Sequence, residues 1–159
     1  MIAVADTSPV CYLVLIGEID LLPKLFDQVR MPRAVLAELL DEDAPAAVRS
    51  WASNPPPWIN IIDTPVLALS GLERLQAGER AAILLAESIK ADMVLLDEKA
   101  ARRAAAARGL GVTGILGVLV EAASRGLVEL APAIDRLRMT SFRATPALLK
   151  AALDHFGIQ

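Results

Sequence analysis

Two short apolar runs, Ile2-Ala3-Val4-Ala5 and Met93-Val94-Leu95-Leu96, each stop at an aspartate, Asp6 and Asp97. Four apolar residues without polar alternation suit a strand covered on both faces, as the strands of a parallel sheet are. A carboxylate at the carboxyl end of such a strand faces the crevice where open α/β sheets keep their ligands. These two pentapeptides therefore constrain the fold and the place of its site together. Strand one, coming first and wholly apolar, is expected at the centre of the sheet.

The remaining punctuation supports an alternation of strands and helices. Ser8-Pro9 reads as an N-cap and first helical proline, opening a helix that runs through Ile16 to Gly17. A short helical piece follows over 19–26, a weak strand over 28–31, a helix from Pro32 to Leu40 and another from Pro45 to Ala52. Asn54-Pro55-Pro56-Pro57 breaks the chain before a third strand, 58–62. Residues 64–77 connect to a long helix from Gly78 to Lys90, then come strand four (93–96), a helix over 98–108, a short fifth strand (109–113) and a helix from Gly114 to Gly126. Two more helices are expected near 131–138 and 146–156. Strands joined through helices predict an α/β fold: a parallel sheet with helices on both faces. Residues 1–127 form the main unit, and 128–159 a helical extension of the same domain, suited to dimerisation.

Composition narrows the class further. With 159 residues the chain makes one ordinary domain, and at 55% hydrophobic but only 4% aromatic its core is built from Ala, Leu, Val and Ile. A formal charge of −3 counts against a tight, passive nucleic-acid binder and less against an enzyme whose acidic centre is neutralised by metal. Cys11, the only cysteine, sits in an apolar run and is expected to be a small buried hydrophobe in a reducing compartment. Asp6 interrupts the start, so no signal peptide is expected. The uncharged, apolar stretch from Gly109 to Val120 spans 12 residues, too few to cross a bilayer. A cytoplasmic protein is expected.

Two glutamates join the aspartates. Glu38 borders the apolar stripe of its helix beside Val35 and Leu39, where a glutamate ordinarily bends outward to water. Glu79 follows Gly78 in the first turn of its helix, where the dipole favours a carboxylate, yet it shares a face with Ala82, Ile83 and Ala86. Like charges gathered in one crevice repel, so a cation is the simplest partner for Asp6, Glu38, Glu79 and Asp97. An all-oxygen set favours Mg²⁺ or Mn²⁺. His155, the sole histidine, lies near the C-terminus, which argues against histidine-based zinc hydrolysis and against a catalytic triad. Asp92 precedes its strand and reads as structural, and Asp41-Glu42-Asp43 as a solvated loop.

Strand-Asp-Thr-Ser over Val4 to Pro9, Val-x-x-Glu-Leu over Val35 to Leu39, Gly-Glu-x-x-Ala-Ile over Gly78 to Ile83 and Leu-Leu-Asp over Leu95 to Asp97 together resemble the PIN-domain nucleases. Gly111-Val112-Thr113-Gly114-Ile115-Leu116-Gly117 fits the prokaryotic branch related to VapC-type toxins of toxin–antitoxin pairs. The resemblance covers about residues 1–127. It implies a three-layer α/β/α sandwich with a five-stranded parallel sheet and a Mg²⁺- or Mn²⁺-dependent ribonuclease site, with Asp6, Glu38, Glu79 and Asp97 as the acidic quartet. The commoner toxin pattern has aspartate near the place of Glu79. Glu98 is a candidate further acid, Thr7, Ser8 and Thr113 candidate supports for a phosphate or a ligand carboxylate, and Arg80, Lys99, Arg102 and Arg103 candidate RNA contacts. Expected partners are an RNA substrate, an antitoxin protein and a second copy of the chain. The competing reading is a catalytically weak or inactive PIN-like protein that acts as a protein-binding module.

Overall fold

The computed structural model of the protein describes residues 1–65 and 69–154. The last two residues of the expected 146–156 helix, His155 and Phe156, lie outside the described residues, as does part of the 64–77 connection. The first half of the chain is β1 (Ile2–Ala5), α1 (Thr7–Leu15), α2 (Leu21–Leu25), β2 (Gln28–Pro32), α3 (Arg33–Leu39), α4 (Ala46–Ser53) and β3 (Ile59–Ile62). The second half is α5 (Ala77–Ile89), β4 (Met93–Leu95), α6 (Lys99–Ala107), β5 (Val112–Thr113), α7 (Ile115–Ser124), α8 (Leu130–Arg138) and α9 (Pro146–Asp154).

The five strands form one parallel sheet in the order β3-β2-β1-β4-β5. β1 is central, as its wholly apolar sequence predicts. From β1 the chain builds outward through β2 and β3, then returns across the sheet to place β4 on β1's other side. That reversal puts the topological switch point between β1 and β4, where the register pairs Ala5 with Leu95.

Strand periodicity divides the core into two faces. Ala3, Ala5 and Leu95 pack with Leu13 of α1, Val118 and Leu119 of α7 and Leu137 of α8. Val4 and Val94, with Leu96 just beyond β4, pack with Ala82, Ile83 and Ala86 of α5 and Ala101 and Ala105 of α6. A three-layer α/β/α arrangement results, with α8 seated in the first of these clusters. Among the described residues, no helix is long and apolar enough to cross a membrane.

Three local expectations need correcting. The first helix starts at Thr7, with Asp6 at its N-cap position and no side-chain cap, so Ser8 is inside the helix. Pro9 is accommodated because first-turn amides have no intrahelical acceptor in any case. Cys11 is half-buried instead of fully buried, since it faces a groove between α1 and α3 that also exposes Thr7 and Glu38. The fifth strand shrinks from five expected residues to Val112–Thr113, because Gly109 takes a positive φ of 77° that ends α6 and cannot continue a strand.

Candidate active site at the switch point

Asp6 leaves the end of β1 with its backbone N–H donating to Leu95 O at 3.2 Å, which ties the end of the first strand to that of the fourth. Its side chain is only 4% exposed, and its Oδ1 is buried with no hydrogen-bond partner. Burial pushes the Asp6 carboxyl up to about 7; the Thr7 backbone N–H offsets part of this, and the charges of Glu79, Glu38 and Asp97 add to it. Three acids from three other segments thus stand close enough to act electrostatically on Asp6.

Asp97 follows β4 on the neighbouring strand. Its Oδ1 accepts the Ile115 N–H at 2.9 Å, at the start of α7, while Oδ2 is buried without a partner. Burial raises its carboxyl above the usual range, against the Ile115 amide and the nearby Arg102 guanidinium, which lower it. A side chain on Gly114 would place its Cβ 2.5 Å from Asp97 Oδ1, so only glycine lets the start of α7 approach this carboxylate.

Glu38 does not bend away to solvent. Thr7 Oγ1 donates to Glu38 Oε1 at 2.5 Å, and the Gly78 N–H donates to Oε2 at 3.2 Å. Here too a Cβ on the glycine would collide with the carboxylate, so α5 can approach α3 only through Gly78. Glu79 serves the helix and the cluster at once. Its Oε1 accepts the Gln76 N–H at 3.0 Å, reaching back across the first turn of α5. It is 7% exposed, and burial raises its carboxyl, with Glu98 and Glu38 adding to the shift.

The surrounding candidates separate by position. Thr7 is spent on Glu38, whereas Ser8, Glu98, Lys99, Arg102 and Thr113 line a cleft of about 590 Å³ that opens beside Asp97. Arg80 turns back to donate to Leu75 O. Arg103 is exposed on α6 and outside the cleft lining. Asp92, at the opposite end of the strands, accepts the Ile2 N–H at 2.7 Å and is structural. Trp51 and Trp58 pack on each other with ring centroids 6.4 Å apart.

The sequence did not reveal the contributions of Gly78 and Gly114 to the crevice or the presence of Ser141 and Arg143 in the cleft wall. The glycines carried a usable signal, standing at helix starts beside or facing the acids. Arg143 carried none, because its place depends on how α8 docks.

The donor set suits a hard divalent cation: it is all oxygen, and two of its buried oxygens, Asp6 Oδ1 and Asp97 Oδ2, have no partner. Among the described residues no three acidic, histidine or cysteine side chains already form a closed ligand cage, so the acids surround the crevice without meeting in it.

A family profile described as a PIN domain matches residues 2–157. No curated protein matches the chain. PIN domains are generally nucleases that act on nucleic acid and typically use divalent metals. A match over nearly the whole length, on a five-stranded parallel sheet with acids at its switch point, means that the chain belongs to the PIN-domain family.

Proposed function

We propose that the protein is an endoribonuclease that hydrolyses RNA phosphodiester bonds with Mg²⁺ or Mn²⁺, and that it is the toxin of a toxin–antitoxin pair. The observation that carries the ribonuclease reading is the pair of buried, unpartnered carboxylate oxygens of Asp6 and Asp97 on adjacent strands at the switch point. Burying a carboxylate without a partner is costly, and a fold that does so twice side by side is organised for something that binds there.

Asp6 and Asp97 are the residues that would hold the cation, with Glu38 and Glu79 acting directly or through water. A divalent ion bound there supplies Lewis acidity, lowering the pKa of a coordinated water and neutralising charge that develops on the phosphodiester oxygens. The chain's own groups do the rest. The Ile115 amide orients Asp97, and Thr7 with the Gly78 amide holds Glu38 toward the crevice. Ser8 and Thr113, which line the adjoining cleft, would donate to a phosphate oxygen, Thr113 giving up its long 3.5 Å bond to Gly114 O. Hydrolysis by water in this arrangement leaves 5′-phosphate and 3′-hydroxyl ends.

The toxin reading rests on the likeness of Gly111–Gly117 and the acidic motifs to the VapC-type branch, and with it come an antitoxin, a homodimer and a cytoplasmic setting. A small open reading frame immediately upstream of the gene would support it. We read residues 128–159 as an extension of the nuclease domain, in keeping with Leu130, Ala133, Ile134 and Leu137 sharing the first core cluster.

The test is cleavage of an RNA by purified protein with Mn²⁺. Wild type is expected to cleave, while Asp6→Asn and Asp97→Asn, still folded by circular dichroism, lose at least 100-fold in rate, as removal of a principal metal-site or transition-state contact does elsewhere. Unchanged rates in both variants would reject the site. A wild type that never cleaves, yet binds a partner protein, would establish the competing role as a binding module.

A further inference from the structure

The cleft beside Asp97 has two walls of different origin. One is α6, which contributes Lys99 and Arg102; the other is the segment between α8 and α9, which contributes Ser141, Phe142 and Arg143. We propose that this cleft is a nucleotide subsite of the nuclease centre, in which Arg143, with Lys99 and Arg102, contacts backbone phosphate and Phe142 stacks on the base next to the scissile bond. The proposal rests on the ribonuclease reading above and extends it to residues outside the acidic crevice.

Charge is the first argument. Lys99, Arg102 and Arg143 enter no salt bridge among the described residues, although all three converge on one opening. Three arginines elsewhere on the surface take acidic partners: Arg33 pairs with Asp63, Arg125 with Glu121 and Arg136 with Glu18. In a protein of net charge −3, three cations around one cleft outnumber the Asp97 and Glu98 carboxylates that share its lining, and form a local anion site whose natural occupant is a strand of phosphates.

Shape and rigidity are the second. A volume of about 590 Å³ falls within the ~300–1,000 Å³ of small-ligand sites, room for a nucleotide unit splayed out of a single strand and not for a duplex. The far wall is fastened in place. The Phe142 N–H donates to Thr140 Oγ1 at 3.2 Å, Tyr12 Oη and Ser141 Oγ lie 3.2 Å apart, and the Phe142 and Tyr12 rings meet edge-on at 5.3 Å. Tyr12 is one turn along α1 from Ser8, itself two residues after Asp6, so the aromatic pair is registered to the acidic crevice through a single helix. An aromatic platform inside a basic cleft is the combination single-stranded nucleic acids use.

The test measures binding, so that it stands apart from catalysis. An Asp6→Asn parent, expected to leave substrate uncut, is titrated with a fluorescent single-stranded oligoribonucleotide and followed by anisotropy over a range of salt. Adding Arg143→Ala should weaken binding about 5- to 10-fold and lower the slope of log K against log salt by about 0.7, the share of one phosphate contact. Phe142→Leu should weaken binding on the order of 5-fold or more. Lys24→Ala, the same loss of charge on α2 away from the cleft, should leave binding as it was. Arg143→Ala at wild-type affinity and slope would overturn the subsite, and so would an equal effect of Lys24→Ala, duplex RNA binding as tightly as the single strand, or a parent that binds no RNA. Binding that behaves as expected in a protein that never cleaves would overturn the nuclease reading and leave the subsite standing.

Discussion

Asp6 has the largest mismatch between charge and surroundings at the scale of single residues. An aspartate in water titrates near 3.8, and in the folded protein burial lifts this carboxyl to about 7. The consequence for stability has a definite sign. Between about pH 4 and pH 7 the unfolded chain has released the Asp6 proton and the folded chain still holds it, so the metal-free protein loses stability as pH rises through that window, and the loss is complete above 7. A lift of that size corresponds to about 4 kcal/mol at most. Asp6→Asn abolishes this penalty. Without divalent ions it is expected to melt several degrees above wild type at pH 8 and close to it at pH 4.5, at roughly 2–4 °C per kcal/mol for a chain of this size. Thermal unfolding of both proteins at the two pH values decides the matter, and a difference independent of pH would contradict the account. Asp6 and Asp97 were readable in the sequence because each closes an apolar run. Glu38 was harder, since nothing in the spacing of Val35 and Leu39 says that Thr7 and Gly78 will turn its carboxylate inward.

Helix starts do the positioning at the scale of elements. The first turns of α5 and α7 present amides to Glu38 and Asp97, and both approach closely enough to exclude a side chain at Gly78 and Gly114. Gly114 has a φ of −111°, which any residue adopts, so alanine there would disturb the site by crowding Asp97 and not by backbone strain. Gly114→Ala should therefore lower the rate of RNA cleavage by about tenfold or more, the scale of an effect from a group that orients a metal ligand, with a shift in melting temperature of only a few degrees. Steady-state rates and thermal scans on the same preparation test this; full activity would show that the position of Asp97 tolerates movement. Strand and helix succession was legible from apolar runs and proline or glycine breaks. Element ends were less so. Ser8-Pro9 is a good local cap signal, yet the helix starts earlier, at Thr7, directly after an Asp6 that is still extended and tied to Leu95.

The whole molecule works through one reversal of chain direction across the sheet. Strands β1, β2 and β3 build to one side, the helix α5 carries the chain back, and β4 then brings Asp97 alongside Asp6 from 91 residues away in sequence. A parallel sheet was foreseeable from the alternation of elements, and the placement of β1 at its centre from its wholly apolar run. The cleft that adjoins the crevice was not, because its outer wall is set by α8 docking in the core and carrying Ser141 to Arg143 back over α1, a long-range packing result without local pattern. Diffraction from crystals soaked in Mn²⁺ and measured at the manganese edge would locate the ion. An anomalous peak is expected at the switch point, about 2.1 Å from Asp6 Oδ1 and from Asp97 Oδ2. No peak there at saturating Mn²⁺, or a peak held by other residues, would contradict the metal-site reading.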